Sequence, residues 1–343
     1  MMTRIERIRT VMSGGIPDRI PVMTHNFLMA AREAGVTMEE YRNNPDIMAK
    51  TLISANQKYD TDGILLDVDT ALLASACGAD VVYPKDLAAV TKDFQPRGIE
   101  ELIDDLETVD LRNSDRVKIY LESIHKMSIW CNQNDVFLRG NADQGPFSLA
   151  CLLLGMNEFL CTLLDKDEEE NLMALLDQTT KIALQMHHLV MEAGAHCTSY
   201  GNSSSGCSVV SPAIFKKFAK PSEIKLNQQL KTDGISTICH ICGWTDPMHE
   251  DLAEIGCPMY EFDASTDIRH ARDVGKGHFV LSGNIDPTLM CNGTTEEVKT
   301  EAKKLLDIFR DQGGLMIGPG CALPAETPSA NVYALVEMTK AFG

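Results

Sequence analysis

Eight short apolar runs recur along the chain, at residues 20–25, 63–69, 136–141, 196–202, 236–243, 259–264, 278–284 and 315–321. They are continuous rather than alternating, which is the pattern of parallel strands covered on both faces. Helical periodicity lies between them. A stripe through Leu172, Leu175, Leu176 and Ile182 predicts a helix over 168–193. Ser211 followed by Pro212 supplies an N-cap and first-turn pair for a helix over 212–231. Thr294 or Thr295 before two glutamates opens a helix over 295–312, and a last helix over 329–342 follows Pro328. Eight strands alternating with helices predict an α/β fold, a (β/α)8 TIM barrel spanning residues 1–343 as one domain. A doubly wound open sheet is the alternative. Residues 70–135 are too long for one crossover, so they read as an insertion after the second strand: a hairpin plus helix over the barrel mouth.

In a barrel, chemistry sits where strands end and loops begin. The polar residues at the predicted strand ends are His25, Asp67, Asp69, Asn141, Asn202, His240, Cys242, Asp263, Asn284 and Cys321. Asp67 and Asp69 share a strand face at i, i+2 spacing and suit general acid/base work, with a helix cap or loop salt bridge as the structural alternative. His25, Asn141, Asn202 and Asn284 are candidate pocket-lining residues.

Composition narrows the classes. The formal net charge of −18 argues against a diffuse basic field for nucleic acid or anionic membranes. Eleven cysteines, an odd number without clustered disulfide spacing, point to a reducing cytoplasm. The N-terminal stretch reads as an amphipathic helix with Ile5, Ile8 and Val11 on one side, and no apolar run reaches membrane-spanning length. P-loop, GxGxxG, paired CxxC and GxSxG motifs are all missing, which weighs against phosphoryl transfer, hydride transfer and serine hydrolysis.

The densest chemistry is in "STICHICGW", residues 236–244. Strand alternation sends His240 and Cys242 to one face and Cys239 to the other. By itself the pair is better read as a buried histidine with a backbone hydrogen bond, beside small sulfur filler; Cys321 reverses that balance. Cys321, in the tight loop "GPGCALPAETP" after the eighth run, supplies a third donor at another strand end. Imidazole plus two thiolates is a zinc donor set.

Three segments, "HICGWTDP", "LSGNIDP" and "GPGCALPAETPSANVYALVE", resemble the uroporphyrinogen decarboxylase superfamily, and the similarity spans nearly the whole chain. His240-x-Cys242 with the late Cys321 resembles its methylcobamide:coenzyme M methyltransferase branch. The resemblance implies a barrel on which His240, Cys242 and Cys321 hold a catalytic zinc. It places Asp263 where that branch has an acidic fourth ligand, usually Glu. The implied reaction moves a methyl group between a methylcobamide, free or on a corrinoid protein, and a small-molecule thiol such as coenzyme M. The runner-up passes a methyl from a methyl ether or similar donor to Co(I) corrinoid, with Asp67 or Asp69 protonating the departing oxygen. Decarboxylation is a further alternative: Asp69 matches the decarboxylases' essential aspartate, but their arginine-rich "MRQAGR" is replaced here by "THNFLMAAREAG".

Overall fold

The computed structural model describes residues 1–342. In chain order the strands are β1 Gly63–Leu66, the hairpin pair β2 Val81–Val82 and β3 Val90–Thr91, β4 Phe137–Gln144, β5 Cys197–Gly201, β6 Thr237–Ile241, β7 Met259–Phe262, β8 Val280–Ile285 and β9 Leu315–Pro319. Seven of them form one sheet in the order β1-β4-β5-β6-β7-β8-β9, every pairing parallel. Helices cross between consecutive strands and cover the outside, so the curled sheet is an α/β barrel.

Residues 20–25 are not the ladder strand that their apolar run predicts; only Val22 bridges, in parallel, to Ile317. The reason is local. Pro21 has no N–H to give, and the Val22 N–H is taken by the Asp62 carboxylate at 2.8 Å. The segment still closes the barrel. Ile317 N–H donates to Pro21 O, Met23 N–H to Ile317 O and Asp62 N–H to Val22 O. It therefore lies between β9 and β1. Gly318 permits this seam, because a Cβ there would stand 2.2 Å from the Met23 carbonyl oxygen.

The helix expected over 168–193 is Glu169–Glu192, and the last helix is Ser329–Phe342. The one expected over 212–231 is broken. It starts at Pro212–Ile214 under the Ser211 cap, passes through a π turn at Phe215–Ala219 and continues as Lys220–Thr232. Pro221 cannot donate to the turn before it, and the wider turn absorbs the missing bond. The helix expected to reach 312 ends at Phe309, before the left-handed pair Gly313 and Gly314. Within 70–135 lie the short helix Leu72–Ala76, the β2–β3 hairpin and the helix Ile99–Glu107. Asp115–Gln133 then serves as an ordinary crossover helix, packed on Pro45–Tyr59 and β4.

Inside the barrel, side chains stack in layers two residues apart along each strand. The lowest layer is apolar: Met23, Leu65, Phe137, Cys197, Ile238, Met259 and Met316, plugged from below by Ile8 and Val11 of the helix Arg4–Met12. Two residues higher, the same strands place His25, Asp67, Arg139, Ser199, His240 and Glu261. Two higher again come Asn141, Cys242 and Asp263 at the mouth. Strands β4 to β8 thus change from apolar to polar along their length. Cys239 packs outward in the helix-facing core, as alternation requires.

Candidate metal centre

His240 is the fourth residue of β6, paired in register with Glu261 of β7. Nδ1 is 3.2 Å from the Glu261 carbonyl oxygen and 3.3 Å from its carboxylate Oε1. Holding Nδ1 as the donor leaves Nε2 as the free lone pair, the arrangement that orients a metal-binding histidine. Nε2 is 2.9 Å from Cys242 Sγ, and Cys242 Sγ is 3.9 Å from Cys321 Sγ. The three donor atoms lie within 4.8 Å of one another and form the one metal-capable group among the described residues. A tetrahedral site with Zn–S bonds of about 2.3 Å has an S···S edge of about 3.8 Å, so the sulfurs already have the spacing the ion needs. The donor set fits zinc in chemistry and in its sulfur–sulfur spacing, while His240 Nε2 stands at hydrogen-bond distance from Cys242.

The electrostatics agree. Cys321 donates its S–H to Cys242, and the neighbouring His240 adds positive charge, which together hold the Cys242 thiol far below the range of a free thiol. The same hydrogen bond pushes Cys321 up. Burial opposes charge on His240, but the Cys242 thiolate and hydrogen bonds to both thiols and Glu261 raise its pKa well above the ordinary value. Two sulfurs and an imidazole thus share protons at one point, and these are the protons a metal ion displaces.

Behind the centre is an ion pair that the sequence pattern did not reveal. Arg139 of β4 reaches across the barrel and pairs with Glu261, both almost fully buried. Burial raises the Glu261 pKa, but the charge of Arg139 and the hydrogen bond with His240 overcome that and hold it well below the carboxylate range. Both residues sit two positions before strand-end residues picked out from the sequence, in runs that read as plainly apolar. A charged residue inside such a run was the available signal.

The other candidates separate. Asp67 Oδ2 bonds His25 Nε2 at 2.7 Å, and both stay in the barrel interior near the mouth. Asp69, expected to share that face, does not. Its side chain is fully buried, paired with Arg116 and capping the Ala71 N–H at 2.9 Å. The strand ends at Leu66, so i, i+2 alternation no longer governs Asp69. Asp263, the expected fourth ligand, lies outside the three-donor group. Its Oδ1 accepts from Ser265 N and Oγ, both at 2.9 Å, and the shorter arm turns back onto its own loop. Asn202 is buried rather than pocket-lining, bonded to Glu223 and Ser148. Asn284 braces the loop after β7 through the Asp263 and Thr266 carbonyls. Asn141 remains at the mouth, its Oδ1 accepting the Asp143 N–H.

The URO-D family model, described as uroporphyrinogen decarboxylase, matches residues 3–342. The chain belongs to the uroporphyrinogen decarboxylase family. Its similar relatives divide between two activities. It is 28% identical to methylcobamide:CoM methyltransferase MtbA of Methanosarcina acetivorans over 72% of this chain and 71% of that protein. It is 24% identical to methylcobamide:CoM methyltransferase MtaA of Methanosarcina barkeri over 96% and 95%. A uroporphyrinogen decarboxylase of Geobacter sulfurreducens is 25% identical over 93% and 94%. The solved methyltransferase from Methanosarcina mazei superposes with a TM-score of 0.87, at 22% identity, over 100% of this chain and 99% of that one, which fixes the fold. No helix among the described residues is long and apolar enough to cross a membrane.

One further acid in this URO-D family member departs from ordinary behaviour. Asp143 sits at an irregularity in β4 with left-handed φ of 66°, and its carboxylate accepts the Leu73 N–H at 2.6 Å. Burial, then the charges of Asp69 and Asp67, push its pKa up to about 8. The folded protein therefore keeps a proton here that the unfolded chain releases near pH 4, about the ordinary carboxylate value. This contribution to stability is complete below about pH 4 and is lost as pH rises through about 8. Asp143→Asn, which tolerates the left-handed backbone, is expected to flatten the fall in stability across that window. Urea midpoints at several pH values check it; an unchanged pH slope contradicts the assignment.

Proposed function

We propose that this protein is a zinc-dependent methyltransferase of a corrinoid system. It moves a methyl group between a methylcobamide, free or carried on a corrinoid protein, and a thiol. The observation that carries the reading is the His240–Cys242–Cys321 donor set, with His240 oriented by Glu261. The similarity to methylcobamide:CoM methyltransferases over most of the chain supports it.

His240, Cys242 and Cys321 would hold zinc, with Asp263 the candidate fourth ligand. Zinc bound there supplies a Lewis acid that keeps a substrate thiol ionised at neutral pH, the nucleophilic form. The protein's own groups do the rest. Glu261 and Arg139 fix the imidazole, and the glycine- and proline-rich loop at 318–324 sets Cys321. The apolar layer below closes the barrel floor against water. In the transfer the thiol sulfur forms a bond to the methyl carbon, and the cobalt–carbon bond breaks with its electron pair left on cobalt. The thiol proton goes to solvent.

The Asp67–His25 pair favours one second reading, transfer from a methylated oxygen compound to Co(I) corrinoid. A carboxylate-oriented imidazole near the mouth is a proton donor suited to a departing oxygen. Two assays decide. Purified protein is expected to hold about one zinc per chain and to convert methylcobalamin to Co(I) when a thiol is supplied. If methyl ethers consume Co(I) while thiols leave methylcobalamin untouched, the second reading replaces the first. Protein without zinc that releases carbon dioxide from a porphyrinogen overturns both.

A further inference from the structure

The charges around the mouth constrain the small-molecule partner. Five loops lead from a strand end to the next helix on the metal side: residues 202–211, 242–248, 263–267, residue 286, and 320–328. Together they carry Asp246, Asp263, Asp267, Asp286 and Glu326, and not one Lys or Arg. Glu326 is paired with Arg32; the other four face no Lys or Arg partner among the described residues. The opposite side adds Asp67, whose partner is His25. The cations that reach inward are already spent. Arg139 is paired with Glu261 and Arg116 with Asp69, each pair buried or nearly so. The insertion brings Lys85, Lys92 and Arg97, of which Lys92 and Arg97 pair with the insertion's own Asp80 and Asp105. On the same loop as Cys242 stands Trp244, half exposed. An indole face suits neutral or cationic groups and gives nothing to an anion.

The side chains of these five loops thus present formal charges of one sign to an arriving thiol. 2-Mercaptoethanesulfonate, the thiol named by the CoM methyltransferase relatives, would bring a fixed negative charge there, and none of the five loops carries a guanidinium or ammonium to receive it. We infer that the thiol partner of this centre carries no fixed negative charge: it is a neutral or cationic thiol rather than a sulfonated one. The inference rests on the zinc methyltransferase reading above and names its substrate class.

Three thiols with the same two-carbon skeleton test it: 2-aminoethanethiol, 2-mercaptoethanol and 2-mercaptoethanesulfonate. The protein is loaded with Co(II) in place of zinc. Each thiol is titrated by its sulfur-to-cobalt absorption, with affinities compared per thiolate. Turnover with methylcobalamin is measured separately on the zinc protein. The amine is expected to bind at least about tenfold more tightly than the sulfonate, with the alcohol between. Asp246→Asn keeps the hydrogen bond to the Asp267 N–H and should narrow that gap. Tighter or equal binding of the sulfonate overturns the inference, and if the sulfonate is also methylated the broader reading stands without it. The expected binding order with no thiol methylated sinks the methyltransferase reading while leaving the charge selection supported. A protein that takes up no Co(II) overturns both.

Discussion

Cys321→Ala is expected to remove the metal and the methyl transfer together. The reason is the small number of donors. Apparent zinc affinities of about 10–16 kcal/mol spread over about four ligands put roughly 2.5–4 kcal/mol on each, or about two to three orders of magnitude in binding. Cys321 is also the donor from a different strand, 79 residues from Cys242. Without it, His240 and Cys242 remain as a two-donor pair on a single strand. Metal content measured after dialysis against a mild chelator should fall from about one per chain to near zero, and transfer from methylcobalamin should fall at least about a thousandfold. Cys239→Ala is the matched control. It removes a sulfur one residue from His240, yet that sulfur packs in the outer core, so metal and activity should persist. Equal losses in the two variants would mean that the sulfurs matter for folding and not for a metal.

The second large effect concerns stability. Arg139→Met leaves the Glu261 carboxylate buried opposite an apolar side chain. Breaking a buried pair from one side costs about 3–5 kcal/mol, because the remaining charge has lost both water and partner. Chemical denaturation should show that loss as a lower midpoint with an unchanged slope. Adding Glu261→Gln to Arg139→Met removes the stranded charge and should restore a large part of the stability. Glu261→Gln should in addition weaken metal binding by about 10–100-fold, as loss of a group orienting a ligating histidine does. A single variant as stable as the parent would show that the pair is solvated rather than buried.

How far the chain could be read in advance depended on whether a local rule applied. Seven of the eight apolar runs became sheet strands, each in parallel register with a neighbouring strand. The eighth, at 20–25, failed since Pro21 and the Asp62 carboxylate divert its hydrogen bonds. His240, Cys242 and outward-facing Cys239 followed from alternation alone. Asp69 did not, because the chain had already left the strand when it reached that residue. Asn202 looked like a mouth residue by position, and a buried carboxylate, Glu223, from a helix far along the chain turned it inward. Arg139 and Glu261 were in full view as residues. Their pairing was not, since it joins strands with two others between them in the sheet order, across the barrel interior.

The sequence by itself determined most of the periodic parts: seven of the strands, most of the helices, the faces of the residues inside those strands, and the His and Cys donors that meet at the barrel mouth. Those depend on spacing and side-chain chemistry, which are properties of the linear chain. Tertiary structure alone decided which carboxylates stay free. Asp67 keeps His25, Asp69 is taken by Arg116, Glu261 by Arg139, and Asp263 by its own loop. A buried charge settles on whatever partner the fold brings within a few ångströms, and that partner is set by barrel closure rather than by distance along the chain.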